Sequence, residues 1–379
     1  MSEKKYYDKI YLALNGYDKT LMTDRYPEMR TKMQTIINEW KIENIYDITE
    51  LYPEDKLLFF DIETTGLSRT KNTVYMIGIG KIEGETFTVT QYFNDDGKSE
   101  KELVKAFFND LSTVKYLVNY NGNTFDIPFL EAKAVLYDIE SKTDTIESVD
   151  IYKLMVKHKK YFSLPDLKQK TVELFLGILR DDLYDGGMLI KVYNDFLKTN
   201  DPCLKELLLL HNYEDIIGLL KLCNLFPYFK CFNKDFKVTD YVLDESGLKI
   251  NCLLDSKVFT PLSIKNDLYY LTISDNDLKI FFPAEKGVFK HFYSDYKNYY
   301  YLPLEDTAIH KSVAEYVDKE HRVKATKNNC YTKKEGYFIP QLNPVVEPVF
   351  KKEAGDSICY FSSDTSIDIN QVISLLNTI

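Results

Sequence analysis

The segment Phe59-Phe-Asp-Ile-Glu-Thr-Thr-Gly-Leu67 constrains this chain more than any other. Together with Leu57 and Leu58 it opens on an unbroken apolar run, which suits a central strand buried on both faces. Such strands rarely carry carboxylates, because a buried unpaired charge is very costly. Asp61 and Glu63 stand two positions apart, so both project from one face at the strand's end. Two carboxylates aimed at one point repel unless a cation lies between them, and hard oxygen ligands suit Mg²⁺ or Mn²⁺. Gly66 lets the chain turn and brings backbone N–H groups towards an incoming phosphate. Thr64, Thr65, Gly66 and Leu67 are therefore read as substrate-binding.

A second element is Asn119-Tyr-Asn-Gly-Asn-Thr-Phe-Asp-Ile-Pro-Phe129. A strand runs into a polar, glycine-containing loop, and Asp126 opens a helix. Taken alone, the plain reading of Asp126 is a helix N-cap, the commonest role of Asp at such a position, and the two roles are compatible. Phe125 and Phe129 read as core aromatics, with Asn123 and Phe125 as candidate substrate contacts. The third element, His211-Asn-Tyr-Glu-Asp215, lies within an amphipathic helix over residues 204–226. His211 and Asp215 are one turn apart on one face; a surface ion pair is the plain reading of that spacing. Together the elements bring Asp61, Glu63, Asp126 and Asp215 from a strand end, a helix start and a late helix, with an imidazole beside the last. A two-metal phosphodiester hydrolase needs this inventory of groups, and His211 suits proton handling because its ordinary pKa lies near neutrality.

The 379-residue length suggests two domains, or one large domain with an appendage. The net charge of −10 argues mildly against broad coating of nucleic acid, but a carboxylate site is itself acidic. The six cysteines show no C-x-x-C spacing, so neither a zinc ribbon nor a disulfide framework is supported. The opening MSEKKYYDKI lacks an apolar signal core and no stretch approaches a membrane span, so a cytoplasmic protein is expected.

Residues 1–50 read as a mostly helical lead-in, with Met33, Ile36, Ile37 and Trp40 at helical spacing over residues 30–40. Residues 51–228 alternate strands and helices in an α/β pattern. Strands are expected at 57–61, 73–80, 86–93, 114–119 and 147–152. A helix with a Ser99/Glu102 capping box is expected to reach about residue 110. Further helices are expected over 129–137, 166–176, 187–198 and 203–225. Residues 229–379 read as a smaller β-rich domain with strands at 236–243, 248–254, 268–273 and 278–282, separated by turn residues that include Asp275 and Asn276. A helix is expected over 308–321.

The motifs D-I-E-T-T-G-L, N-G-N-T-F-D-I-P-F and H-N-Y-E-D resemble those of the DEDD 3′→5′ exonucleases of the RNase H-like superfamily. The third motif, with Asp185-Gly-Gly-Met and residues 193–202 before it, looks like that of the bacterial YprB-like group. The likeness covers about residues 55–225. It implies a mixed five-stranded sheet flanked by helices, two Mg²⁺ or Mn²⁺ ions per site and stepwise removal of nucleotides from a 3′ end. Asp61, Glu63, Asp126 and Asp215 match the four metal-associated acids. His211 departs from the pattern: one subtype places Tyr four residues before the last Asp, and the other places His five before it. Here His211 is four before and Leu210 five before. Asp150 is a possible neighbour of the site and is read as structural.

In the second domain, Lys319, Arg322, Lys324, Lys327, Lys333 and Lys334 follow the aromatic run at residues 296–301. Basic and aromatic side chains together suit single-stranded DNA or RNA; a solvated helix end beside ordinary strand tyrosines is the plain alternative. Lys157-His-Lys-Lys-Tyr161 poses the same choice. The function expected is a metal-dependent 3′→5′ exonuclease. The alternative is a catalytically weak or inactive RNase H-like nucleic-acid-binding protein.

Overall fold

Strand β2 (Leu57–Thr64) is the element around which the first unit is built. The computed structural model describes residues 33–141, 143–181, 184 and 186–379. Besides β2, one mixed sheet contains β1 (Gln34–Lys41), β3 (Val74–Glu83), β4 (Thr86–Phe93), β5 (Tyr116–Asn119) and β6 (Glu147–Asp150). Their order is β1-β4-β3-β2-β5-β6. β2, β5 and β6 are parallel, and the remaining pairs are antiparallel.

Among the described residues, the α-helices of this unit are α1 (Glu100–Asp110), α2 (Asp126–Tyr137), α3 (Ile151–His158), α4 (Gln169–Phe175), α5 (Gly186–Thr199) and α6 (Pro202–Leu222). Leu58, Phe60 and Ile62 of β2 join Leu103, Phe107, Phe129 and Leu130 in one core, beneath α1 and α2. Tyr75, Met76 and Phe93 join Leu189, Tyr193, Leu204 and Leu208 in another, beneath α5 and α6. The period of two along a strand then turns Asp61 and Glu63 away from the first core and towards α6.

The resemblance implied five strands, and the sheet has six. The extra strand is β1, where helical spacing predicted a helix over 30–40; residues 1–32 of the expected lead-in lie outside the described residues. Ile36 and Trp40, four apart, fit both periods, whereas Ile37 falls on the opposite face of the strand and is 61% exposed. The open edge of β4 decides, pairing Ile36 with Gln91 and Trp40 with Phe87. β-branched residues at a sheet edge satisfy backbone groups that a helix would leave unpaired on β4. The Ser99 capping box is also absent: Ser99 Oγ donates to Asp96 Oδ1 at 2.8 Å, and no side chain caps α1.

The second unit runs Pro227–Ile379. It holds three three-stranded sheets, one of them formed by Lys237–Asp244, Gly247–Lys265 and Tyr270–Pro283. The turn expected at Asp275 and Asn276 is instead an irregularity inside a long strand. There Asp275 takes φ 50° and faces Val258 across a shifted register. The helix expected over 308–321 is also corrected. Thr307–His310 is a strand paired with Tyr299–Leu302, Lys311–Ala314 is one short α-helical turn, and Lys319–His321 is a separate 3₁₀ turn. Val313 is 57% and Tyr316 90% exposed, so the apolar stripe that suggested a helix has nothing to pack on. Among the described residues, no helix is long and apolar enough to cross a membrane, and the six cysteines are free.

Candidate active site

The end of β2, the start of α2 and the middle of α6 carry the acids. β2 is regular against β3 up to Glu63, which faces Met76, and slips register between Glu63 and Thr64. The slip ends the ladder where the second carboxylate emerges. Thr65 then closes the loop back on β3: its N–H donates to Thr73 O, and its Oγ1 accepts from Thr73 N–H, both at 2.9 Å. Gly66 takes φ 153°, and a side-chain carbon there would lie 2.8 Å from the Asn72 side chain. Thr64 Oγ1 donates to Gly66 O at 2.9 Å. Leu67 projects into solvent, 84% exposed.

Glu63 is buried, with Oε2 accepting from the Tyr75 hydroxyl at 3.3 Å and Oε1 lying 3.3 Å from His211 Nε2. His211 Nε2 is also 3.2 Å from Asp215 Oδ2. Ligand atoms of Glu63, His211 and Asp215 all lie within 4.8 Å of one another. The structure thus places His211 against two of the acids, despite its unusual position in the motif.

Asp126 is buried at the first turn of α2, and its side chain does not serve as an N-cap; Phe125 occupies that place without a side-chain hydrogen bond. Burial lifts the Asp126 carboxyl to about 7. Its own backbone amide and that of Ile62 pull it down, while Glu63 pushes it up. Asp61 is raised well above the ordinary range, first by burial and then by the charges of Asp215, Asp126 and Glu63. The four acids therefore share one electrostatic neighbourhood. Four carboxylates and one imidazole, with more negative than positive charge among them and their neighbour Arg180, fit hard divalent cations such as Mg²⁺ or Mn²⁺.

Phe125 is half-buried and packs on Phe129 at 5.5 Å between ring centres; Asn123 is half-buried on the same loop. Asp150 caps α3: its Oδ1 accepts from Lys153 N–H at 3.3 Å and from Asn121 N–H at 2.9 Å, the latter holding the loop before Asp126. Asp185 lies outside the described residues.

Besides Tyr75, three further partners of the acids were not anticipated. Asn212 Nδ2 donates to Asp61 Oδ2 at 3.2 Å. Arg180 Nη1 donates to Asp215 Oδ1 at 2.6 Å. Gln169 Nε2 donates to the Asp215 carbonyl at 3.2 Å. Asn212 sits inside the third motif and its adjacency to His211 was a usable signal; nothing local marks Arg180 or Gln169. Arg69, in the turn after β2, also reaches across to donate to Thr124 O at 3.1 Å.

Three of the six basic residues singled out in the second unit are engaged within it, while Lys319, Lys324 and Lys327 are exposed. Lys333 pairs with Asp306 and Lys334 with Asp364. Arg322 lies over Tyr300, 5.0 Å from its ring centre, and donates to Ala314 O. Tyr293 and Tyr299 stack on each other at 4.6 Å. In the other cluster, His158 turns inward, and burial and Lys157 lower its pKa.

A family model of the RNase H superfamily matches residues 58–226. The uncharacterised protein YprB of Bacillus subtilis is 30% identical over 177 residues, covering 45% of this chain and 42% of that protein. A DNA polymerase of Methanocaldococcus jannaschii is 28% identical over 244 residues, covering 58% of this chain and 15% of that protein. The chain thus spans less than half the length of either relative. Among solved structures, the family B DNA polymerase of the archaeon Pyrobaculum calidifontis is 18% identical with a TM-score of 0.37, over 45% of this chain and 24% of that one. The zinc-bound E. coli ExoI–ssDNA complex is 13% identical with a TM-score of 0.28, over 57% and 54%. The family match runs from β2 to just past α6 and leaves out β1; over those residues the mixed sheet and its flanking helices are RNase H-like.

Proposed function

We propose that this chain is a metal-dependent exonuclease of the DEDD type that hydrolyses single-stranded DNA or RNA from the 3′ end. The observation that carries the reading is the gathering of Glu63, His211 and Asp215 ligand atoms within 4.8 Å, with Asp61 and Asp126 in the same field of charge. Buried carboxylates that raise one another's pKa are unfavourable unless a cation joins them.

In this reading Asp61, Glu63, Asp126 and Asp215 hold two Mg²⁺ or Mn²⁺ ions. When bound, such ions make water more acidic and stabilise negative charge on a leaving oxygen. The chain's own residues do the rest. His211 Nε2 lies between Glu63 and Asp215, where it can accept a proton from water and be stabilised as a cation by both. The turn at Thr64, Thr65, Gly66 and Leu67 receives the terminal nucleotide, with the exposed Leu67 offering an apolar surface to a base. Asn123 and Phe125 border the strand from the opposing loop. The coincidence of the motif-bearing segment with the RNase H superfamily match supports this assignment.

The test is digestion of a 5′-labelled oligonucleotide by the full chain with Mg²⁺ or Mn²⁺. Products shortening one nucleotide at a time from the 3′ end are expected, and Asp61→Ala should abolish them. Equal cleavage by wild type and Asp61→Ala, or tight binding with no metal-dependent cleavage, overturns the proposal.

A further inference from the structure

The two oxygens of Asp215 have different partners. Oδ2 faces His211 Nε2 at 3.2 Å, while Oδ1 is held by Arg180 Nη1 at 2.6 Å. Arg180 is forked: its Nε and Nη2 both donate to Glu173 of α4, the latter to Oε1 at 2.6 Å. Side-chain exposures are 7% for Arg180 and 1% for Glu173. Gln169, one turn earlier on α4, donates to Glu173 Oε1 at 3.0 Å and to the Asp215 carbonyl at 3.2 Å. Asp181 N–H donates to Glu214 Oε1 at 2.9 Å, tying the backbone beside Arg180 to α6. Gly218 makes the room. A side-chain carbon there would overlap Glu173 Oε1 and come within 3.0 Å of Gln169 Nε2 and 3.2 Å of Arg180 Nη2.

A buried Arg–Glu pair is not by itself a strong source of stability, since desolvation offsets the attraction. A glycine inside a helix costs about 1 kcal/mol against alanine. Both features therefore call for a local reason, and the geometry around Asp215 supplies one. Glu173 neutralises Arg180, so the pair adds little net charge to the acid cluster. What it adds is direction.

Resting on the metal-binding reading above, we propose that Arg180, braced by Glu173, is a positioning residue. It occupies Asp215 Oδ1 so that Asp215 presents Oδ2, beside Glu63 and His211, to a divalent cation. Partners that orient a ligating carboxylate typically change metal affinity by about 10–100-fold when removed.

The experiment is Mn²⁺ titration of the full chain, followed by the electron paramagnetic resonance signal of free Mn²⁺. The double variant Glu173→Gln/Arg180→Gln leaves net charge unchanged and removes the clasp. Its Mn²⁺ affinity should fall at least about tenfold, with a cooperative unfolding transition retained in EDTA. If only counter-charge mattered, this neutral swap would leave affinity at the wild-type value, and that result overturns the inference. Should the double variant fail to fold, Arg180→Lys keeps the charge but cannot fork. A loss of several-fold is expected for it, and wild-type affinity overturns the inference equally. Asp215→Asn separates the two ideas. If wild type binds Mn²⁺ no better than Asp215→Asn, the metal-site reading itself fails and this inference with it. If wild type binds better than Asp215→Asn but the clasp variants match wild type, only the inference fails.

Discussion

Asn212 Nδ2 on α6 donates to Asp61 Oδ2 on β2 at 3.2 Å, joining the third motif to the first. Asn212 is wholly buried, and its Oδ1 accepts from Gln91 Nε2 at 3.0 Å, which fixes the amide with its donor facing the acid. This hydrogen bond lowers the Asp61 pKa against burial and against three neighbouring carboxylates, so it favours the charged form that a cation requires. Asn212→Leu removes the donor while keeping approximate size. Oligonucleotide cleavage should fall by about 10–100-fold, and the pH at which activity appears should move upward. Cleavage within twofold of wild type, at an unchanged pH, would remove Asn212 from the site.

Gly78 is the reason Asn212 fits. It lies opposite Asp61 in the β2–β3 ladder, and a side-chain carbon there would overlap Asn212 Oδ1. Gly78→Ala should destabilise the protein by about 1–3 kcal/mol, the usual cost of overpacking. The diagnostic comparison is Gly78→Ala/Asn212→Ala. Shortening Asn212 empties the volume into which the new methyl points, so the double variant should be more stable than the sum of the two single effects. Urea unfolding of the four proteins checks this, and strict additivity would mean that the backbone moves instead.

The acids were legible in the sequence because their chemistry is in conflict with their surroundings. Asp61 and Glu63 interrupt an apolar strand, and no packing argument accounts for two carboxylates there. Of the partners of those acids, only Asn212, inside the third motif, carried a local signal. Arg180 follows a short helix at a spacing that carries no periodic signal, and its link to Asp215 exists only because α4 and α6 pack with Gly218 between them. β1 was misread for a related reason. Ile36, Ile37 and Trp40 satisfy a helical period, and only the open edge of β4, assembled from residues some fifty positions later, selects a strand. Residues 307–310 repeat the lesson, since Tyr299–Leu302 offers them a ladder that a local reading does not contain.

The acid cluster also sets the pH dependence of the metal-free protein. Burial raises Asp61 well above its ordinary value and Asp126 to about 7. A carboxyl with a raised folded-state pKa binds its proton more tightly folded than unfolded, so stability falls as pH rises from the unfolded value near 4 towards the folded one. In EDTA the Tm should therefore decrease between pH 5 and pH 8. Adding Mn²⁺ should restore it at pH 8 far more than at pH 5, where protons compete for the ligands. Asp126→Asn should flatten the EDTA profile. A Tm in EDTA that rises across this window would contradict the placement of these carboxyls.

Away from the acids, Glu100 and Lys133 form a second buried pair that reaches the turn after β2. Lys133 Nζ lies 3.0 Å from Glu100 Oε1, with side-chain exposures of 4% and 7%. Glu100 also accepts from Val74 N–H at 2.7 Å and from the Tyr137 hydroxyl at 2.6 Å. Lys133 donates to the carbonyl of Asn72, and the Asn72 side chain in turn accepts from Ser68 N–H at 2.9 Å and donates to Thr65 O at 3.3 Å. Lys133→Met leaves Glu100 charged, buried and without its cation, which should cost about 3–5 kcal/mol in urea unfolding. Glu100→Gln added to it should recover most of that loss, because the amide oxygen still accepts from Val74 N–H and the amide nitrogen can donate to the Tyr137 hydroxyl oxygen, with no charge to bury. The recovered double variant would still lack the Asn72 contact. Proteolysis within residues 65–73 should therefore remain faster than in wild type even where global stability is restored, and equal rates would show that the loop is held by Asn72 alone.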